Sequence, residues 1–210
     1  HFTQSKAIGA LGPGVSRDAG GAWQWLGKRD SLTSFQYKFS ADDQEVRFSF
    51  GMPYQHADLL RFLDRHKGNA HLKTEVLART KKGTPVELLR LGQLEDTPDF
   101  MALVTVRHHA CEMMANYVME GILEAALAQD DNGIWFRRNV EMLAVPFVDK
   151  DGVEQGDQGK NRRPRDHNRD YIGKSVHASV AAVRTFVPNW SNGRLNAVFD
   201  LHCPYISGAY

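Results

Sequence analysis

Apolar residues recur along the chain with two different periods. Every second position is apolar from Phe35 to Phe39 and from Val46 to Phe50, the pattern of half-buried strands. Beyond Pro53 the pattern changes. Leu59, Leu60 and Leu63 predict a helix reaching about Lys67 and closed by Gly68. Strands follow around Val76 and from Val86 to Leu91, and Phe100 to Val106 is a continuous run of buried-strand type. Met114, Val118, Ile122 and Ala125 then repeat at helical spacing, Val140 to Val148 reads as a strand, and Val176, Val180, Val183 and Val187 mark a helix. A final strand ends at His202. Residues 1 to 30 carry Gly9, Gly12, Gly14, Gly20 and Gly21 with weak periodicity, and read as loop. The expected organisation is the end of an N-terminal β-rich domain over residues 1–50, followed by an α/β domain over 51–210.

Composition narrows the picture only a little. The 210 residues carry 26 basic and 25 acidic side chains, a net charge of +1, which argues against nucleic acid as a general partner. The basic stretch Lys160-Asn161-Arg162-Arg163-Pro164-Arg165 is local and reads as a solvated loop. No run approaches the length of a membrane span, so a soluble protein without a membrane partner is expected, cytoplasmic or exported. Two cysteines build no disulfide framework. The oligomeric state is left open.

Candidate chemistry begins at His109-Ala110-Cys111-Glu112. A histidine and a carboxylate three residues apart, at the mouth of a helix, can grip one zinc ion, and a site that does chemistry needs a third protein ligand. His202, at the end of Val198-Phe199-Asp200-Leu201-His202, fits that need. The pair falls at a strand-to-helix turn, where open α/β sheets place their crevices. Cys111 and Cys203 adjoin ligand positions, but strand neighbours point to opposite faces, and both read as buried small residues.

Asp151-Gly152-Val153 followed by Asp166-His167-Asn168-Arg169 resembles the D-G-V and D-L-N-R signatures of zinc metallocarboxypeptidases, particularly their cytosolic carboxypeptidase branch. Phe48-Ser49-Phe50-Gly51-Met52-Pro53-Tyr54 is similar to that branch's F-x-F/Y-x-x-P-Y segment. Val118-Met119-Glu120-Gly121-Ile122-Leu123-Glu124 likewise resembles the continuation of its H-x-x-E helix, and Asp200-Leu201-His202 its D-Y-H strand. Several motifs in order, over roughly residues 35 to 205, are more specific than any one alone.

The resemblance implies a three-layer α/β/α zinc-carboxypeptidase-like domain with a mixed central sheet. His109, Glu112 and His202 would bind one zinc ion, whose Lewis acidity would serve hydrolysis of a C-terminal peptide bond. Asn168 and Arg169 would clamp the substrate's terminal carboxylate, since a guanidinium fork makes two parallel charge-assisted bonds. Asp166 would orient the first zinc histidine, with a simple salt bridge to a neighbouring arginine as its alternative. The implied substrate is the C-terminus of a peptide or protein.

The family pattern is departed from twice. An ungapped overlay places Gly159 where relatives carry an arginine that stabilises the oxyanion; Arg163 is the preferred replacement, with Arg162 second. The family's general-base glutamate and capping tyrosine lie well downstream of the third ligand, whereas this sequence runs eight residues past it, with no acidic residue among them. The chain taken alone is therefore expected to be nearly inactive. Two other readings are an aspartoacylase-like zinc amidohydrolase, sharing H-x-x-E, D-x-N-R and a late histidine, and a zinc- or peptide-binding module without turnover.

Overall fold

The computed structural model describes residues 11–27 and 34–203. Two compact units divide the chain, one formed by His1–Pro53 with Cys203–Tyr210 and the other by Tyr54–His202.

In the first unit, β1 (Gly14–Ser16) pairs antiparallel with both β2 (Gln24–Trp25) and β3 (Arg47–Ser49). The glycine-rich segment expected to be loop thus supplies two short strands. The alternating Phe35 to Phe39 joins no ladder. Its alternation has another cause: Phe35 and Tyr37 set their rings 5.0 and 5.1 Å from Phe48, while the Tyr37 hydroxyl takes a bond from Nε of Arg17 and faces Asp43. Tyr205 and Tyr210 lie outside the described residues.

The second unit begins with α1 (His56–Arg65), entered through a capping box in which Gln55 and Asp58 satisfy each other's backbone N–H groups. Leu59 and Phe62 form its buried face, whereas Leu60 is half exposed. The elements that follow are β4 (Leu72–Arg79), β5 (Pro85–Gly92), β6 (Phe100–Val106), α2 (Met114–Leu127), α3 (Asp131–Asn139), β7 (Val140–Val145), α4 (Lys150–Gln155), a 3-10 turn at His167–Arg169, α5 (Ala178–Ser191) and β8 (Leu195–Leu201). Five strands make one mixed sheet in the order β4-β5-β7-β6-β8. The three strands β7, β6 and β8 run parallel, and β5 is antiparallel to both of its neighbours.

Helices cover the two faces of this sheet, as the three-layer expectation requires. On one side, Val180, Val183 and Val187 of α5 pack on Val86, Leu88, Leu103 and Leu143. On the other, α2 and α3 cover β5, β6 and β7, and α2 buries Ala115, Met119, Leu123 and Ala126. The residues whose spacing predicted the helix, Met114, Val118, Ile122 and Ala125, form a different stripe. It faces outward, with Met114 and Val118 about half exposed. Helical spacing in an apolar helix does not say which of two stripes turns inward, and here the turn before α2 sets the phase. Among the described residues, no helix is long and apolar enough to cross a membrane.

Candidate metal centre

Parallel pairing of β6 with β8 brings the key residues to one end of the sheet. Val106 is level with Leu201, so the turn leaving β6 and the residue leaving β8 emerge side by side at the strands' carboxyl ends. His109 and Glu112 lie in that turn, before α2, and His202 follows β8 directly.

Arg107 shapes the turn. It adopts φ 63°, unusual for a residue with a side chain, and is 2% exposed. Its guanidinium donates to the Ala110 carbonyl at 3.0 Å, the Tyr54 carbonyl at 2.9 Å and Oδ1 of Asn116 at 2.8 Å. A buried cation with this many acceptors offsets its desolvation and pins the backbone between the two candidate ligands. Sequence reading missed Arg107; a charged residue ending a long buried run is the signal that could have pointed to it.

Within the turn, Nδ1 of His109 stands 3.1 Å from Oε1 of Glu112, and Nδ1 of His202 stands 2.6 Å from Oε2 of the same carboxylate. Ligand atoms of His109, Glu112 and His202 lie within 4.8 Å of one another. Two imidazole nitrogens and a carboxylate oxygen suit zinc chemistry. Glu112 is 4% exposed, yet a cation already faces it: Nζ of Lys160 lies 2.8 Å from Oε1. Burial opposes the Glu112 carboxylate, but Lys160, His202 and His109 outweigh it and hold its pKa below the ordinary range. Burial likewise opposes the His202 imidazolium, and Asp200 and Glu112 raise its pKa above the usual histidine value. What fits a divalent cation is the buried Glu112 carboxylate between two imidazoles, with the Lys160 ammonium standing where the ion's charge would fall.

The remaining candidates line a neighbouring loop. A cavity of about 510 Å³ is walled by residues 160–166 and Arg169. Arg163 is exposed on its wall. Arg162 is committed elsewhere: its Nε and Nη2 donate to Oδ2 of Asp149 at 2.8 and 2.5 Å. Asp166 is buried, its Oδ1 3.9 Å from Nε2 of His109 and its Oδ2 receiving Nη1 of Arg169 at 2.5 Å. The Asp166 carboxylate thus bonds Arg169, the salt bridge named as its alternative, while His109 stands beyond hydrogen-bond distance. The Arg169 side chain is otherwise open, 75% exposed, and Asn168 is exposed and outside the cavity wall. Asp151 is turned away, accepting from the hydroxyls of Thr80 and Thr84 at 3.0 and 2.8 Å.

Gly159 has a structural reason to be glycine. It holds φ +88°, and a Cβ there would lie 2.4 Å from the backbone nitrogen of Ala110. The adjoining Gln158 carbonyl accepts from the Cys111 N–H at 3.2 Å. The 158–159 segment therefore packs on the ligand turn itself, and no arginine fits. Lys160, the next residue, reaches the centre instead. Sequence reading missed it because its contact depends on the loop's path rather than on any motif. Cys111 and Cys203 are half-buried rather than buried, and neither belongs to a metal-ligating group among the described residues.

No family model matches the chain. It is 25% identical over 168 residues to cytosolic carboxypeptidase 6 of Caenorhabditis elegans, covering 77% of this chain and 36% of that protein. To human cytosolic carboxypeptidase 4 it is 26% identical over 192 residues, covering 84% and 16%. Among solved structures, a metallo-carboxypeptidase from Burkholderia cenocepacia superposes with a TM-score of 0.73 at 21% identity, covering 96% of this chain and 55% of that one. One from Pseudomonas aeruginosa gives 0.69 at 23% identity, covering 94% and 52%. The chain thus spans about half of the solved structures and a smaller part of the curated relatives. Its fold is that of the metallocarboxypeptidases. In sequence the chain resembles the cytosolic carboxypeptidase branch of the metallocarboxypeptidases.

Proposed function

We propose that this chain carries the zinc-binding and C-terminus-binding part of a carboxypeptidase that removes the last residue of a peptide or protein. The observation that supports it is the meeting of His109, Glu112 and His202 from two separate strand ends around one buried carboxylate. Zinc held by these three would supply Lewis acidity toward a scissile carbonyl and an attacking water. The chain's own residues do the rest. Asp166, whose Oδ1 lies 3.9 Å from Nε2 of His109, would orient that ring through its charge. Arg169, now paired with Asp166 on an exposed side chain, turns its fork to the substrate's terminal carboxylate, with Asn168 beside it. Arg163 or Lys160 faces the charge developing on the carbonyl oxygen. Its exposed place on the cavity wall favours Arg163, and its contact with Glu112 favours Lys160.

The reading is tested by binding. A short peptide with a free C-terminus should bind the zinc-loaded chain about tenfold or more tightly than its C-terminal amide, because the fork loses an anionic partner. The difference should vanish in Arg169→Ala. Equal affinity for the two peptides in the wild-type chain would refute the clamp.

A further inference from the structure

Beside the proposed centre lies a second group, His108, Asp200 and His202, whose ligand-type atoms also fall within 4.8 Å of one another. Its geometry differs from the first. His202 is bracketed by two carboxylates: Nδ1 faces Glu112, and Nε2 lies 2.9 Å from Oδ2 of Asp200. The other oxygen of Asp200 is held from two sides. The Thr105 hydroxyl donates to Oδ1 at 2.9 Å, and Nδ1 of His108 stands 2.8 Å from the same atom. That approach is close but off the line of a well-formed hydrogen bond, so the His108 ring steadies the Asp200 carboxylate by close contact and charge. His108 is 2% exposed, and its Nε2 lies 2.8 Å from the Tyr171 hydroxyl. A chain of contacts thus runs from Tyr171 through His108 and Asp200 to His202.

A second metal ion in this group would need Nε2 of His202 as a ligand while Nδ1 serves the first. A neutral imidazole has one lone pair for a metal, and its other nitrogen carries the proton. Oδ1 of Asp200 is moreover already occupied by the Thr105 O–H. The arrangement matches what a metal-bound histidine needs behind it, namely a carboxylate that receives the remote N–H and sets tautomer and ring angle.

We propose that Asp200 is a positioning residue for His202: it accepts the Nε2–H, leaves Nδ1 free to ligate, and is itself aimed by Thr105 and His108. This rests on the metal-centre reading above. Each histidine ligand then has a carboxylate nearby, Asp200 at 2.9 Å from His202 and Asp166 farther from His109, at 3.9 Å. The two differ in build. Asp166 shares its charge with Arg169, whereas Asp200 is fixed by a neutral hydroxyl and an imidazole, so its hold on His202 does not depend on what Arg169 binds.

The test is zinc titration of the full chain against a chromogenic chelator, with folding monitored by circular dichroism. Asp200→Asn is nearly isosteric and should weaken zinc binding by about ten- to hundredfold while one ion per chain still binds at saturation. Thr105→Val should weaken it less, by about fivefold, the effect of losing one orienting hydrogen bond. Asp200→Glu, which keeps the charge, should recover part of the loss. In the cobalt-loaded chain, the exchangeable Nε2–H resonance of His202 should exchange faster in Asp200→Asn, with that of His109 unchanged; a role in folding alone would leave both alike. Wild-type affinity in Asp200→Asn, alongside loss of zinc in His202→Ala, would overturn the positioning role and leave the metal centre standing. Two ions per chain, the second lost in His108→Ala, would overturn it by making Asp200 a ligand. Full zinc binding by His202→Ala would remove both this role and the reading beneath it.

Discussion

Lys160 places its ammonium 2.8 Å from Oε1 of Glu112, among the groups proposed to hold the metal. Zinc and this cation compete for one carboxylate, and Lys160 must withdraw when the ion enters. Its side chain is 42% exposed, so it has water to move into, and the pair contributes little, about 0.5–1 kcal/mol. Lys160→Met is therefore expected to tighten zinc binding by about two- to fivefold in a chelator competition. Weaker binding in the variant would show that Lys160 assists the site rather than occupying it.

Gly159 gives a second prediction. In Gly159→Ala the new Cβ meets the Ala110 backbone, between two proposed ligands, whereas Gly156, also at positive φ, has open space around it. Gly156→Ala should lower stability by about 1 kcal/mol, the cost of the left-handed backbone. Gly159→Ala should cost roughly 2 kcal/mol more and also weaken zinc binding, both read by urea unfolding and metal titration. Equal effects in the two variants would show that the 158–159 segment does not press on the ligand turn.

These two residues also mark where the sequence stopped being legible. The buried run at β6, the strand ending at His202 and the order of motifs could be read because each depends on local pattern, and together they led to the right fold class. Packing at a distance could not be read. An overlay put Gly159 in an arginine's place, but only the approach of Ala110 explains the glycine. Lys160 enters the centre because the loop behind it bends back on the turn. The spacing of Met114, Val118, Ile122 and Ala125 gave α2 its period but not its inward face, which is Ala115, Met119, Leu123 and Ala126. Phe35 and Tyr37 alternate because their rings meet Phe48, without any ladder.

Stability should fall on mild acidification through His167. This ring is 7% exposed and stacks on His177 at 3.6 Å. Burial, with His177 and Arg162 adding to it, lowers its pKa to about 3. The unfolded chain protonates this histidine near 6.5 while the folded one does not, so the unfolded state binds more protons and stability declines as pH falls from about 6.5 toward 3. The contribution between pH 7 and 5 is about 2 kcal/mol. His167→Gln should reduce the acid-induced loss over that interval by about this amount in urea melts of the metal-free chain. An unchanged slope would show that the native ring takes up its proton near neutral pH.

Zinc content of the purified chain after metal loading and dialysis tests the central claim most directly. The three-ligand centre predicts one zinc ion per wild-type chain. Single substitution of His109, Glu112 or His202 by alanine should each reduce the retained zinc to a small fraction, with the fold kept. Full zinc occupancy in all three variants would contradict it.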